Sequence, residues 1–308
     1  HVLLIPISYK SKFNQLSSPF FRDQAIALKN QGCKVGVICP LAISFKQIWK
    51  SKSLNFKNEC YSDDGVKTLI YPFVSIPKSP ERTRRIRLSE GKKMFKDYIQ
   101  KNGLPDIVHA HVFLAAELAL WIKEAYGISY VLTEHSTGFA RKSYSNNFMN
   151  IARKVFKHSS LNIAVSNEFA VLLKSMFNAE FKYIPNMIDT DFFKPDSNRV
   201  LKNGFSFLNV GFLDKKKNQI GLITAFSNLF KNNFKFKLDI VGDGPEMNNL
   251  KSYIDLNGLH SQVTLHGSKT RHDVKTMMQN SDCFVLSSYQ ETFGVVLIEA
   301  MACGLPVL

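Results

Sequence analysis

Cysteine is scarce and scattered. Five occur among 308 residues, at Cys33, Cys39, Cys60, Cys283 and Cys303, and no two form a CxxC pair. An odd count without paired spacing argues against a disulfide framework or a zinc site and suits a reducing cytoplasm. Long apolar runs are missing too; stretches such as Val131–Leu132 or Val295–Ile298 are far too short to cross a bilayer. No signal peptide, short repeat or low-complexity tract is visible. No GxGxxG follows the strand-like run His1–Ile7, which disfavours a dinucleotide-dependent dehydrogenase. Acidic residues are few, 25 Asp and Glu against 40 Lys and Arg, and the net charge is +15. So basic a chain attracts polyanions: nucleotides, nucleic acid or an anionic membrane surface.

What is present reads as a globular protein. Hydrophobic residues make up 45% of the chain and aromatics 12%, enough for a sizeable core. The length suits two domains of ordinary size. The sequence opens at His1 inside a strand-like run and closes on Pro306-Val307-Leu308 at the start of another, so truncation at both ends is the expectation.

Short β runs alternate with longer helical stretches. Lys34–Cys39 reads as a strand stopped by Pro40, and Glu81–Lys101 as a basic helix ended by Asn102-Gly103. Asp106–His109, Tyr130–Thr133 and Leu161–Val165 read as further strands. The rhythm breaks at Pro185–Asn203, rich in proline, aspartate and asparagine, which reads as a linker. It then restarts with Phe205–Val210 and continues to Val295–Ala302, a helix closed by Gly304. Such alternation predicts parallel sheets covered on both faces. The fold class is therefore α/β, with one doubly wound domain over residues 1–190 and a second over 191–308. In sheets of this kind ligands sit beyond the carboxyl ends of the strands.

Those ends hold the candidate chemistry. After Val210 comes Gly211-Phe212-Leu213-Asp214 and a run of three lysines ending at Lys217. A glycine, a helix start and lysines can receive a phosphate. A solvated lysine run is the other reading of that segment alone. Gly242-Asp243-Gly244-Pro245-Glu246 reads as a turn with proline just inside the next helix rather than as a phosphate loop. Glu291 and Glu299 lie eight residues apart around Gly294, about two helical turns, so both can face one cleft if the loop tightens. A carboxylate within the apolar run VVLIEAMA needs a partner or a ligand, which favours a functional Glu299. Free amides around Thr292 to Val295 can bind an anion or sugar oxygens. His109, His111 and His135 fall at the ends of neighbouring strands; hydrogen bonds to a sugar or phosphate fit them better than metal binding. The basic segment Lys78–Lys96 reads either as an amphipathic helix on an anionic membrane or as a solvated helix packed by its apolar side. Nucleic acid ranks behind both, because no recognition motif is present.

The motif ETFGVVLIEAMACGLPV at Glu291–Val307 resembles the two-glutamate signature of nucleotide-sugar glycosyltransferases of the GT-B fold, family 4 (group 1). NVGFLDKKKN at Asn209–Asn218, VGDGPE at Val241–Glu246, LHGS at Leu265–Ser268, IPNMID at Ile184–Asp189, DIVHAH at Asp106–His111 and FRDQAIAL at Phe21–Leu28 resemble it in the same order. The resemblance implies two Rossmann-like domains facing across a cleft. It also implies transfer from a nucleotide-diphosphate sugar with retained configuration and no obligatory metal or cofactor.

By position, Lys217, Glu291 and His111 would be catalytic. Gly211, Phe212, Gly267, Thr292, Phe293, Gly294, Val295, Glu299, His109 and Asn186 would join Lys217 and Glu291 around the donor. The acceptor would be a glycan or lipid-linked sugar, met at the cytoplasmic membrane face through Arg82, Arg84, Arg85, Arg87, Lys92 and Lys93. Two departures stand out: Phe212 replaces the family's usual arginine, and Ser18-Pro19 replaces a glycine in the acceptor-side loop, residues 8–20. The other readings are a GT-B epimerase-like enzyme and a non-catalytic nucleotide-sugar-binding protein.

Overall fold

The computed structural model describes residues 1–13, 19–45, 47–48, 56–199, 204–230 and 236–308. The chain divides into two compact units, His1–Met187 and Ile188–Leu308.

The first unit is built on an eight-stranded sheet. Its strands are β1 (Val2–Ile5), β2 (Val35–Ile43), β3 (Glu59–Asp63), β4 (Val66–Val74), β5 (Ile107–His111), β6 (Tyr130–Glu134), β7 (Leu161–Ala164) and β8 (Lys182–Tyr183). They lie in the order β3-β4-β2-β1-β5-β6-β7-β8. All neighbours run parallel except β3, which turns back antiparallel on β4. Its helices are α1 (Pro19–Asn30), α2 (Pro80–Asn102), α3 (Phe113–Tyr126), α4 (Asn146–His158) and α5 (Asn167–Phe177). Helix α3 is apolar almost all round and buries residues from Phe113 to Ile122. Helix α4 buries only Phe148, Ala152, Val155 and Phe156, the spacing of one helical face.

The second unit repeats the winding on a smaller scale. Strands β9 (Phe205–Val210), β10 (Phe236–Val241), β11 (Val263–Leu265) and β12 (Cys283–Phe284) form a parallel sheet in the order β11-β10-β9-β12. Helices α6 (Gln219–Phe230), α7 (Met247–Leu256), α8 (Arg271–Asn280) and α9 (Val295–Ala302) accompany it. In each unit the chain builds outward on one side of its first strand and then crosses to the other. The switch points lie between β1 and β5 and between β9 and β12, where crevices for ligands form in such sheets.

Four local expectations change. Pro40 does not stop β2, which runs on to Ile43. Strand β1 pairs with β2 only as far as Leu4 opposite Val37, so Pro40 lies where β4 is the remaining neighbour, an edge-like stretch that tolerates a residue without an N–H. Strand β3 has no clear alternation in its sequence and is an addition to the expected strands. Pro245 stands two residues ahead of α7, which begins at Met247, and so is not its first helical residue. The segment after Pro185 is more than a linker. The Asp189 carboxylate accepts from the amides of Asp191 and Phe192, both at 3.0 Å, and Phe193 is buried in the second unit's core.

Candidate active site

At the second unit's switch point the chain leaves β9 through Gly211 and reaches a single 3-10 turn, Lys215–Lys217. Asp214 caps that turn: its side chain accepts from the Lys217 amide at 3.3 Å. On the other side, Ser287, just past β12, donates its hydroxyl to the carbonyls of Lys217 (3.0 Å) and Asn218 (3.1 Å). The Tyr289 amide donates to the Lys216 carbonyl at 2.9 Å. These bonds tie the two post-strand segments together and bring the Lys217 ammonium onto the Glu291 carboxylate as an ion pair. Both side chains keep contact with solvent, 15% exposed for Lys217 and 26% for Glu291.

Helix α9 comes next along the chain. Gly294 is its N-cap at φ +76°, a left-handed conformation that suits glycine, and no side chain caps the end. The Leu297 amide already donates to the Gly294 carbonyl at 2.9 Å, so the amides ahead of it are the ones that can receive an anion at this helix start. Thr292, Phe293 and Val295 line this approach in sequence, all half-buried. Glu299 lies one turn into α9 and is half-buried, not sealed in a core, because only Ala300 of that helix is fully buried. The harsh burial expected for Glu299 from its apolar neighbours is thus relaxed. Glu291 lies outside the helix, so the two-turn spacing does not describe the glutamate pair.

Two glycines nearby serve packing. A Cβ at Gly242 would sit 1.8 Å from the Gly211 carbonyl oxygen, and one at Gly244 would sit 2.2 Å from that of Leu213. Gly211 itself faces only the Lys217 side chain, at 3.9 Å from a Cβ placed there. Gly267, at φ +69°, accepts from the Gly242 amide at 2.9 Å. Phe212 is 59% exposed, an apolar ring standing in water beside the lysine turn. Asn186 lies half-buried in the irregular segment after β8, in the first unit.

The first unit's switch point is of another character. His109 and His111 end β5, with ring centroids 4.2 Å apart, and both are buried. His135, one residue past β6, meets His111 through Nε2 and Nδ1 at 3.1 Å. Phe21 packs against both His111 and His135. His109 Nε2 lies 2.8 Å from the Thr133 hydroxyl, while His111 Nε2 is buried with no hydrogen-bond partner. Burial depresses the cluster's pKa values, to about 4 for His109 and about 3 for His135, and His111 falls well below its ordinary value, its neighbouring histidines adding to burial. All three are neutral at pH 7.

In the sequence Glu134 stands out only as the residue before His135. Its buried carboxylate accepts from the amides of Phe113 (2.8 Å), His135 (3.0 Å) and Ser136 (2.8 Å). It thereby clamps the β5–α3 turn to the segment after β6. Burial raises its pKa to about 7 against the pull of those three amides. Between His111 and α3, Val112 adopts φ +74°, a strained setting for a β-branched residue. Ser287 is a second addition to the site; its one signal in the sequence is its place directly past a strand.

The six residues of α2 expected at a membrane, Arg82, Arg84, Arg85, Arg87, Lys92 and Lys93, do not form one free face. Arg84 pairs with Glu81 and Glu117, Lys93 pairs with Glu90, and Lys92 sits over the Trp121 ring at 5.0 Å. Arg87 donates to backbone carbonyls, and only Arg82 and Arg85 of the remaining arginines are exposed. Met94, Phe95 and Tyr98 are buried against the sheet, so the apolar side of this helix is already covered. The packed-helix reading describes α2. Among the described residues no helix is long and apolar enough to cross a membrane. Nor does any group of three His, Cys, Asp or Glu among them stand ready to hold a metal ion.

Known proteins resemble this chain along most of its length. It is 25% identical over 285 residues to an uncharacterized glycosyltransferase of Methanocaldococcus jannaschii, covering 86% of this chain and 69% of that protein. It is 28% identical over 269 residues to the UDP-Gal:alpha-D-GlcNAc-diphosphoundecaprenol alpha-1,3-galactosyltransferase of Escherichia coli, covering 80% of this chain and 67% of that one. Among several other curated relatives the chain spans about half the partner's length, as with 48% and 56%. The solved structure of sucrose-phosphate synthase from Thermosynechococcus elongatus superposes with a TM-score of 0.80 at 19% identity, over 100% of this chain and 80% of that one. That likeness establishes the fold as GT-B, built from Rossmann-like α/β units. Residues 191–308 match the family described as Glycosyl transferases group 1. Residues 20–192, more than half of the 308, match Glycosyltransferase Family 4, and the chain belongs to that family.

Proposed function

We propose that the protein is a retaining glycosyltransferase that moves a sugar from a nucleotide-diphosphate donor to a glycan or lipid-linked acceptor. The observation that supports it most is the Lys217–Glu291 pair, held between the segments after β9 and β12. A partly exposed ion pair is worth only about 0–1 kcal/mol, so an arriving diphosphate can replace Glu291 as the lysine's partner at little expense. Lys217 then neutralises the negative charge that grows on the diphosphate as the glycosidic bond breaks. Glu291, once released, accepts from hydroxyls of the donor sugar, and Glu299 from those of the ribose. Amides of Phe293, Gly294 and Val295 receive the remaining oxygens. His111, neutral and with Nε2 unpartnered, is the first unit's candidate for a sugar hydroxyl. Retention without a protein nucleophile follows if the acceptor attacks on the face that the phosphate vacates. The reading calls for no metal, because Lys217 supplies the fixed positive charge. Five free cysteines suit a reducing compartment.

The test is calorimetric titration with UDP-, GDP- and ADP-sugars, then transfer from the donor that binds, with the product's anomeric configuration read by NMR. Binding of one donor class and a retained anomer are expected. Failure of every nucleotide sugar to bind would sink the reading, and an inverted anomer would sink its stereochemical part. A second reading, nucleotide-sugar binding without transfer, is favoured by the exposed Phe212 in place of an arginine. It predicts binding with no turnover on any acceptor.

A further inference from the structure

The first unit contains a cavity of about 320 Å³, within the size range of small-molecule sites, that the donor chemistry does not use. It lies beyond the carboxyl ends of β4 and β5. Ile76, just past β4, and Leu114, in the first turn of α3, form its wall with Phe148. Lys78, Arg84 and Arg87 supply its charge, and no carboxylate lines it. Arg84 already has Glu81 and Glu117 as counter-ions.

Arg87 does not. Its Nη1 donates to the carbonyls of Ile7 (3.1 Å) and Pro40 (2.7 Å), and its guanidinium stands 5.7 Å from the centre of the Phe73 ring. No acidic group among the described residues pairs with it, and Nε and Nη2 carry no acceptor there. Burial lowers its pKa and no carboxylate opposes that shift. A half-buried cation without a counter-ion is unfavourable, and an anion that binds beside it reduces the penalty. Helix α2 opens onto the same space: Ser79 caps it without a side-chain hydrogen bond, and Pro80 begins it. A helix start of this kind adds positive potential. Lys78, held at φ +56°, is exposed and adds a movable charge.

Cations on one side and an apolar wall on the other select a phosphate joined to something less polar. We infer that this cavity binds the phosphate or diphosphate of a phosphorylated acceptor, with Arg87 as its fixed anchor and Lys78 as its second cation. The word acceptor rests on the glycosyltransferase reading; the anion site itself does not. A lipid-linked sugar diphosphate and a soluble sugar phosphate share this chemistry, and the presence or absence of a tail tells them apart.

The experiment is isothermal titration of the full chain with dodecyl diphosphate, inorganic pyrophosphate and dodecyl glucoside. Wild type is compared with Arg87→Met, Lys78→Gln and Lys217→Met. Dodecyl diphosphate should bind, about tenfold more weakly in Arg87→Met and about threefold more weakly in Lys78→Gln, and binding at this pocket should persist in Lys217→Met, which removes only diphosphate held at the second unit's lysine turn. Rising salt should weaken it further. If Arg87→Met fails to fold, Lys78→Gln carries the test, because Lys78 is exposed. Equal binding of pyrophosphate and dodecyl diphosphate supports the site with a soluble acceptor; a clear advantage for the tail supports it with a lipid-linked one. The inference is overturned if dodecyl glucoside binds as tightly, if both pocket variants leave the affinity unchanged, or if Lys217→Met alone abolishes it. Loss of nucleotide-sugar binding, measured separately, bears on the donor reading and leaves the anion site standing.

Discussion

Where its strand order reverses, the first unit buries two neutral histidines and a carboxyl group and half-buries a third histidine, while the second leaves a lysine and a glutamate in contact with water. The winding is the same in both. The difference lies in the segments beyond the strands. After β5 and β6 the chain enters the apolar helix α3 and an aromatic contact with Phe21, which exclude solvent. After β9 it enters a lysine turn, and after β12 a loop held by hydroxyl and amide bonds. A drier crevice lined by neutral imidazoles favours directional hydrogen bonds to neutral hydroxyls. A wetter, charged one favours exchange of one counter-ion for another. One topology can thus present two opposite chemistries.

The contrast breaks first at Lys217. Replacing it by methionine should lower kcat by about 10²–10³, the typical loss when a donor to developing charge is removed. The unfolding free energy should move by no more than about 1 kcal/mol. Steady-state kinetics beside urea denaturation check this, and an unchanged kcat would leave the second unit's charged pair without a catalytic part.

The next effect concerns pH and belongs to the first unit. His109 and His135 have folded pKa values below the ordinary histidine value, so the unfolded chain takes up protons that the folded one refuses. Their contribution is intact above about pH 6.5 and is lost as pH falls toward the folded values. Glu134 has the opposite sign: its pKa is raised to about 7, so it favours folding at low pH and loses that contribution as pH rises through its folded value. Three histidines against one glutamate give a net loss of about 2–4 kcal/mol between about pH 7 and about pH 5. The fluorescence of Trp121, in α3, reports the transition. In Glu134→Gln the decline with acid should steepen, because the opposing group is gone. A flat profile would show that water reaches the cluster.

The smallest effect sharpens the second unit's character. Phe212→Arg should tighten binding of a nucleotide diphosphate by about 1 kcal/mol, a few-fold, through one more forked cation. The melting temperature should not change, since Phe212 is exposed. A calorimetric titration decides, and no gain would mean that residue 212 faces away from the phosphates.

The α/β alternation and the end of α9 at Gly304 were legible because periodicity and helix punctuation act over short distances. So was the grouping of His109, His111 and His135, since neighbouring parallel strands place their carboxyl ends side by side. What escaped depends on partners far along the chain. Whether Pro40 ends a strand depends on where β1 stops. Whether Glu299 is sealed in depends on how much of α9 the rest of the unit covers. Whether the cations of α2 are free depends on Glu117, thirty-three residues from Arg84. The clamp made by Glu134 reaches from β6 to the start of α3 and leaves no mark in local composition.

The contact of Gly242 with Gly211 has one more consequence. The carbonyl of the loop after β9 rests directly on the backbone of the neighbouring crossover, with no side chain between them to yield. The loop's shape is therefore inherited from the sheet beneath it, and it has already lost its freedom before any ligand arrives. Binding there need not include the entropy of closing a floppy segment, so affinity can be concentrated in a few polar contacts.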